Sequence, residues 1–286
     1  ILQAAEKFGD ERRTAIIARA PAQVLDETQL IASEPVTVIL SERGWARAAK
    51  GHDIDPLTLS YKAGDAYLNA VRGFSNQNVV FLDSTGRAYS LPAHSLPSAR
   101  GQGEPLSGRL NPPEGAVYCG VMIGDETSRW LVASDAGYGF FAQLGQLYSR
   151  NRAGKTLIRV SDQSTVLVPT RHYGEEFPGN ALVAAVSSVG RLLLFPANEL
   201  PEMSRGKGIK ILGIPSKKFS AGEERMVAVT LVTSDQTLLV FSGQRRMSLK
   251  GGDLEHYLGN RGRRGSMLPR GWRKVERLDV EGEPDD

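Results

Sequence analysis

Beyond Pro35 the chain alternates short apolar runs of Val, Ile, Leu and Phe with Gly, Asp, Ser and Pro, the pattern of successive β-hairpins. Helical spacing is confined to the first ~30 residues, where Leu2, Ala5 and Phe8 recur every three to four positions and Gly9 offers a stop. Five units can be laid over one another. Each is an apolar strand, a short polar turn usually closed by Gly, and a second strand opening with a basic or aromatic residue. They run Val36–Leu40 to Gly44-Trp45, Val79–Leu82 to Gly86-Arg87, Trp130–Ala133 to Gly137-Tyr138, Leu182–Val186 to Gly190-Arg191, and Val227–Val229 to Gln236-Thr237, where the Gly is missing. The turn positions lie 42, 51, 53 and 46 residues apart, the period of propeller blades. A second Gly follows the turn Gly by 17 or 18 residues, at 103, 154 and 208, and Leu96, Leu147 and Leu258 each stand seven before such a Gly. The expected fold is all-β: a five-bladed propeller of four-stranded blades over 34–277, closed or broken as a ring. A short helical segment and linker (1–33) precede it and an acidic tail (278–286) follows. The turn glycines are expected to serve the turn itself, at positive φ.

With 41% apolar and 23% charged residues among 286, disorder and collagen are excluded. Such a chain can bury its core without metal or disulfide. The single Cys119 closes no internal disulfide and reads as a small buried hydrophobe, with nothing to suggest an oxidising compartment. Ser187, Ser188, Gly190 and Arg191 interrupt the longest apolar stretch, Ala181 to Phe195, short of the ~20 residues that span a bilayer. Ile1 to Arg13 carries charges throughout, unlike a signal peptide, and a start without Met points to an excised fragment.

The net charge is only +3, but it is unevenly placed. Arg261, Arg263, Arg264, Arg270, Arg273, Lys274 and Arg277 face the single acid Glu276, and five acids then follow from Asp279 to Asp286. Basic residues also gather around each second Gly, in 98–103, 150–155, 204–210 and 260–265. A Gly-rich loop lets backbone amides approach an anion while Arg and Lys supply charge. Four such loops at corresponding positions point to a phosphate backbone. The candidate DNA contacts are Arg47, Lys50, Arg100, Arg150, Arg152, Lys155, Arg205, Lys207, Lys210, Arg261, Arg263 and Arg264.

Catalytic readings fare poorly. Gly154-Lys155-Thr156 lacks the P-loop Gly five residues earlier, where Ser149 stands. His52, His94, His172 and His256 are dispersed, with no metal-spaced pair. Ser204 and Lys207 match a bare S-x-x-K spacing with no helix to align them. Trp45 and Trp130 are expected in blade cores. Trp272 either shields the last blade or stacks on a base.

Several stretches carry a resemblance. Phe8 to Thr14 resembles the end of the coiled-coil and gate region of the A subunits of bacterial type IIA topoisomerases, and the hairpin repeats resemble their C-terminal propeller. More narrowly, Glu34 to Thr37, Gly44-Trp45, Ala49 to Asp55, Tyr61 to Asp65, Leu96 to Leu106, Ala133 to Phe140 and Arg150 to Lys155 resemble the topoisomerase IV branch. The Gln-Arg-Arg-Gly-Gly-Lys-Gly box of gyrase A is absent. Its nearest echoes are Arg205 to Gly208 and Arg261 to Gly265, and the first repeat offers only Arg47 to Gly51.

The resemblance implies a non-catalytic, sequence-nonspecific module that holds duplex DNA for an enzyme that decatenates chromosomes and relaxes supercoils. It also implies no cofactor in this fragment, with ATP and Mg2+ used through the B subunit of an A2B2 heterotetramer. Contact with an SMC-like condensin is a further implied partnership, as is a cytoplasmic, nucleoid-associated location with family precedent for peripheral membrane association. The rival readings are a protein-interaction scaffold, a gyrase-type wrapping domain and a propeller hydrolase.

Overall fold

The structure is a computed structural model and describes residues 2–8, 32–172 and 179–281. It divides into two units, Ile1–Ile31 and Ala32–Asp286. In the first, the helix Leu2–Phe8 is described. The rest of the expected linker, the Gly9–Thr14 part of the gate-like motif and residues 282–286 of the acidic tail lie outside the described residues.

The second unit holds five sheets, each built on one antiparallel hairpin. The hairpin strands are Pro35–Ser41 with Trp45–Lys50, Asn78–Asp83 with Arg87–Pro92, Arg129–Ser134 with Tyr138–Gln143, Ala181–Ser187 with Arg191–Pro196, and Thr237–Ser242 with Arg245–Leu249. An inner strand flanks each: Tyr67–Phe74, Tyr118–Met122, Thr170–His172, Met226–Thr233 and Arg277–Glu281. Four blades gain a two-residue outer strand: Glu104–Pro105, Lys155–Thr156, Ile209–Lys210 and Ser266–Met267.

Three expectations change. The fifth hairpin turns at Gly243, not Gln236, because Val227–Val229 belongs to the inner strand of blade 4. Blade 5 has three strands among the described residues rather than four. The last sheet runs to Glu281, four residues past the expected boundary at 277.

Strand alternation sends successive side chains to opposite neighbours. Val79 and Phe81 pack into a core shared with blade 1, while Val80 and Leu82 enter the core shared with blade 3. Further cores join blades 3 to 4 and 4 to 5, and among the described residues no such buried cluster joins blade 5 to blade 1. Those two blades meet near the axis, where Tyr67 lies by Arg277 and Asp279 beside a cavity of about 280 Å³. Trp130 is buried as expected, whereas Trp45 is half-buried with the Lys62 ammonium 3.6 Å from its ring centre. Trp272 packs partly buried on the core between blades 4 and 5, which favours shielding. Cys119 is half-buried, its thiol donating to the Leu82 carbonyl. No helix among the described residues is long and apolar enough to cross a membrane.

The first four turns share one construction. The N–H groups of Gly44, Gly86, Gly137 and Gly190 donate to the carbonyls of Ser41, Asp83, Ser134 and Ser187, and all four glycines have φ between +74° and +85°. Those Ser and Asp side chains are buried. Ser41, Asp83 and Ser187 accept the N–H of Trp45, Arg87 and Arg191, which satisfies the backbone at the tight turn.

Burial holds the phenols of Tyr89, Tyr118 and Tyr148 neutral well above the usual tyrosine range, Tyr148 to about 12, and a hydrogen bond to Asp83 adds to the effect at Tyr89. In the unfolded chain they ionise near ~10. Their contribution is therefore intact below pH ~10 and lost as pH rises through the raised values of the folded chain, about 12 for Tyr148 and higher for Tyr89 and Tyr118. The urea midpoint is expected to fall steeply above pH 10, and a constant midpoint up to pH 12 would contradict this.

Candidate nucleic-acid interface

The outer strands come from a crossover. After completing the hairpin of one blade, the chain returns to the outer edge of the preceding blade, so neighbouring blades interlock. The second glycines make this possible. Gly103, Gly154, Gly208 and Gly265 have φ of +88°, +62°, +76° and +71°. A Cβ would lie 2.6 Å from the Ala46 carbonyl oxygen at Gly103 and 2.6 Å from that of Ala88 at Gly154, and closer still to Gly139 and Leu192 at the other two. Three residues on, the buried Leu106, Leu157, Ile211 and Leu268 donate their N–H to the carbonyls of Gly44, Gly86, Gly137 and Gly190, at 2.7 to 2.9 Å. The sequence spacing couples Gly103 with Gly86, but the fold couples it with Gly44.

Successive crossovers also touch one another. Asn111 donates its N–H to Arg152 O, Arg159 to Gly206 O, and Gly213 to Arg263 O, each at 2.8 Å. Gly206 and Gly262 donate back to Leu157 O and Ile211 O at 2.9 Å. The four basic loops thus form one backbone-bonded belt along the outer edges of blades 1 to 4. Truncating a side chain leaves these bonds in place.

The belt presents exposed Arg100, Arg150, Arg152, Arg205, Lys207 and Arg263. Lys207 sits 4.0 Å over the Tyr138 ring. Lys50 is exposed on the blade 1 hairpin and pairs with Glu34 at 3.1 Å. The remaining candidates are buried or half-buried. Arg47 is 2% exposed, donates from Nη1 to Gly101 O at 2.7 Å and lies over the Tyr61 ring. Arg47 is therefore withdrawn as a phosphate contact. Arg261 donates to Lys210 O at 2.9 Å, Arg264 pairs with the buried Glu224 carboxylate, and the half-buried Lys155 donates to Gln146 O. Desolvation lowers the Lys155 pKa. Lys210 is half-buried, its Nζ 5.9 Å from the Tyr138 ring centre.

Two residues beyond that set brace the loops. Arg87 donates from Nε to Ala153 O at 2.9 Å and from Nη2 to Gly154 O at 3.1 Å, and Arg191 donates to Gly265 O at 3.1 Å. The basic residue that opens a second hairpin strand was their visible signal. Arg159, exposed on the belt itself, stands five residues after Gly154, and Lys217 and Lys218 are exposed on the helix Ser216–Ser220. Arg87→Ala is expected to cost about 1–2 kcal/mol of stability while leaving the salt dependence of DNA affinity unchanged. Melting curves beside a salt titration check both, and a flattened slope would make Arg87 a phosphate contact instead. Among the described residues no group of His, Cys, Asp and Glu is placed to hold a metal ion.

Comparison with known proteins agrees with this architecture. A family model described as DNA gyrase C-terminal domain, beta-propeller, matches residues 182–233. The A subunit of DNA topoisomerase 4 from Pseudomonas aeruginosa is 51% identical over all of this chain, and that from Haemophilus influenzae 47% identical over 95% of it. The chain spans 38% and 36% of the length of those two relatives. The solved E. coli ParC C-terminal domain superposes with a TM-score of 0.75 at 43% identity, covering 88% of this chain and 100% of that one. A solved DNA gyrase A C-terminal domain shares the fold, with a TM-score of 0.64 at 14% identity over 87% of this chain and 84% of its own.

Proposed function

The chain belongs to the family of C-terminal domains found in the A subunits of topoisomerase IV, and from that premise we propose that it holds duplex DNA along the crossover belt for a type IIA topoisomerase that decatenates and relaxes DNA. The observation that carries this reading is the belt's continuity, which strings exposed cations from four blades along one backbone-bonded track. Cations spaced along a curved rim match a phosphate backbone, and among the described residues no helix of recognition length would enter a major groove. Binding is then sequence-nonspecific.

In the holoenzyme, the cleaving nucleophile belongs to the part of the A subunit upstream of this chain. The B subunit of an A2B2 assembly uses ATP and Mg2+. An SMC-like condensin would contact faces off the belt, and the working location is the nucleoid. Duplexes of equal length and unrelated sequence should compete equally for the chain, and a preference above tenfold would overturn the reading.

A further inference from the structure

The residue after the turn glycine takes two forms. In blades 2 and 4 it is Arg87 or Arg191, whose guanidinium bonds crossover carbonyls. In blades 1 and 3 it is the half-buried Trp45 or Tyr138, which has no guanidinium to offer. All four stand in the same register opposite the two-residue outer strand, Trp45 paired with Pro105, Arg87 with Thr156, Tyr138 with Lys210 and Arg191 with Met267. Each of the two rings carries lysine instead. The Lys62 Nζ lies 3.6 Å from the Trp45 ring centre, and the Nζ atoms of Lys207 and Lys210 lie 4.0 Å and 5.9 Å from that of Tyr138.

A ring and a carboxylate hold an ammonium differently. A carboxylate offsets the charge, as Glu34 does for Lys50, whereas the quadrupole of a ring attracts the cation and leaves its net charge intact. Among the described residues no carboxylate pairs with Lys62, Lys207 or Lys210. Lys62 and Lys207 are exposed, and Lys207 stands between Gly206 and Gly208. A long lysine stem in such a place otherwise samples many rotamers. Ordering it on binding costs affinity, and a ring that orders it beforehand removes part of that cost.

We propose that Trp45 and Tyr138 are positioning residues of the belt, each holding lysine ammoniums in place for phosphate, and that through Trp45 the belt gains Lys62 as a contact in blade 1. The inference rests on the belt as a phosphate track. A double-mutant cycle in duplex affinity at fixed salt tests it. Trp45→Leu with Tyr138→Leu should weaken binding about tenfold, some two- to fivefold for each ring. The salt slope should stay unchanged, because the lysines remain. Trp45→Phe with Tyr138→Phe should keep most of the affinity. In a background of Lys62→Gln, Lys207→Gln and Lys210→Gln, the two Leu changes should cost less than about twofold. That background should itself lower affinity and flatten the salt slope. If it does neither, the phosphate track falls and the proposal with it. If it does both, but the Leu changes cost nothing or cost as much with the lysines as without them, only the role of the rings is overturned. Should the Leu variants misfold, NMR of the unaltered chain decides. The rings shift the Hε signals of Lys62 and Lys207 upfield, and the shift should persist in the DNA complex. Its loss on binding would mean that the rings hold the lysines back from DNA.

Discussion

Replacing Arg152, Arg205, Lys207 and Arg263 together by Ala is expected to lower duplex affinity about a thousandfold at 0.15 M salt. Each neutralised phosphate contributes about 0.9 to the slope of log affinity against log salt. Between 0.15 M and a 1 M reference, that is roughly 0.7 decades per contact and about three decades for four. The fold should survive, because all four side chains are exposed and such truncations usually change stability by less than ~0.5 kcal/mol each. The belt's own bonds run through the backbone of Arg152 and Arg263. Electrophoretic mobility shifts with melting curves beside them check both halves. A loss below tenfold with an intact fold would place the DNA elsewhere.

Gly154→Val should have the largest effect on stability, more than about 4 kcal/mol or failure to fold. Valine at φ +62° is strained, and its Cβ would lie 2.6 Å from Ala88 O and 2.7 Å from the Tyr89 ring. The lock between blades 2 and 3 cannot then close. Gly108→Ala serves as the control, since nothing lies within 4 Å of the added Cβ, and a change within about 1 kcal/mol is expected. Urea denaturation of the two variants reads the difference. Equal midpoints would mean that the second glycines are ordinary loop residues.

The five-blade count and the turn glycines were legible because a tight turn at positive φ and an apolar strand beside it are local facts of sequence. The fifth unit was displaced because alternation in Met226–Thr233 imitates a first hairpin strand, while the true turn at Gly243 is shorter. The interlocking was not legible. An outer strand of two residues such as Lys155–Thr156 carries no periodicity, and its partner, Arg87-Ala88, lies some 70 residues away. The basic loops were found, but their division into exposed and buried or half-buried cations was not, because a sequence gives charge and withholds direction. Arg47 had a warning sign, a cation between Ala46 and Ala48 in a strand otherwise apolar up to its terminal Lys50, where a guanidinium must find a carbonyl.

The belt as a phosphate track is tested most directly by titrating salt against duplex affinity for the parent chain and the four-residue variant side by side. The parent slope should be steep and the variant slope flatter by about 3.6, four contacts at roughly 0.9 each. Two parallel lines would contradict a phosphate track along the belt.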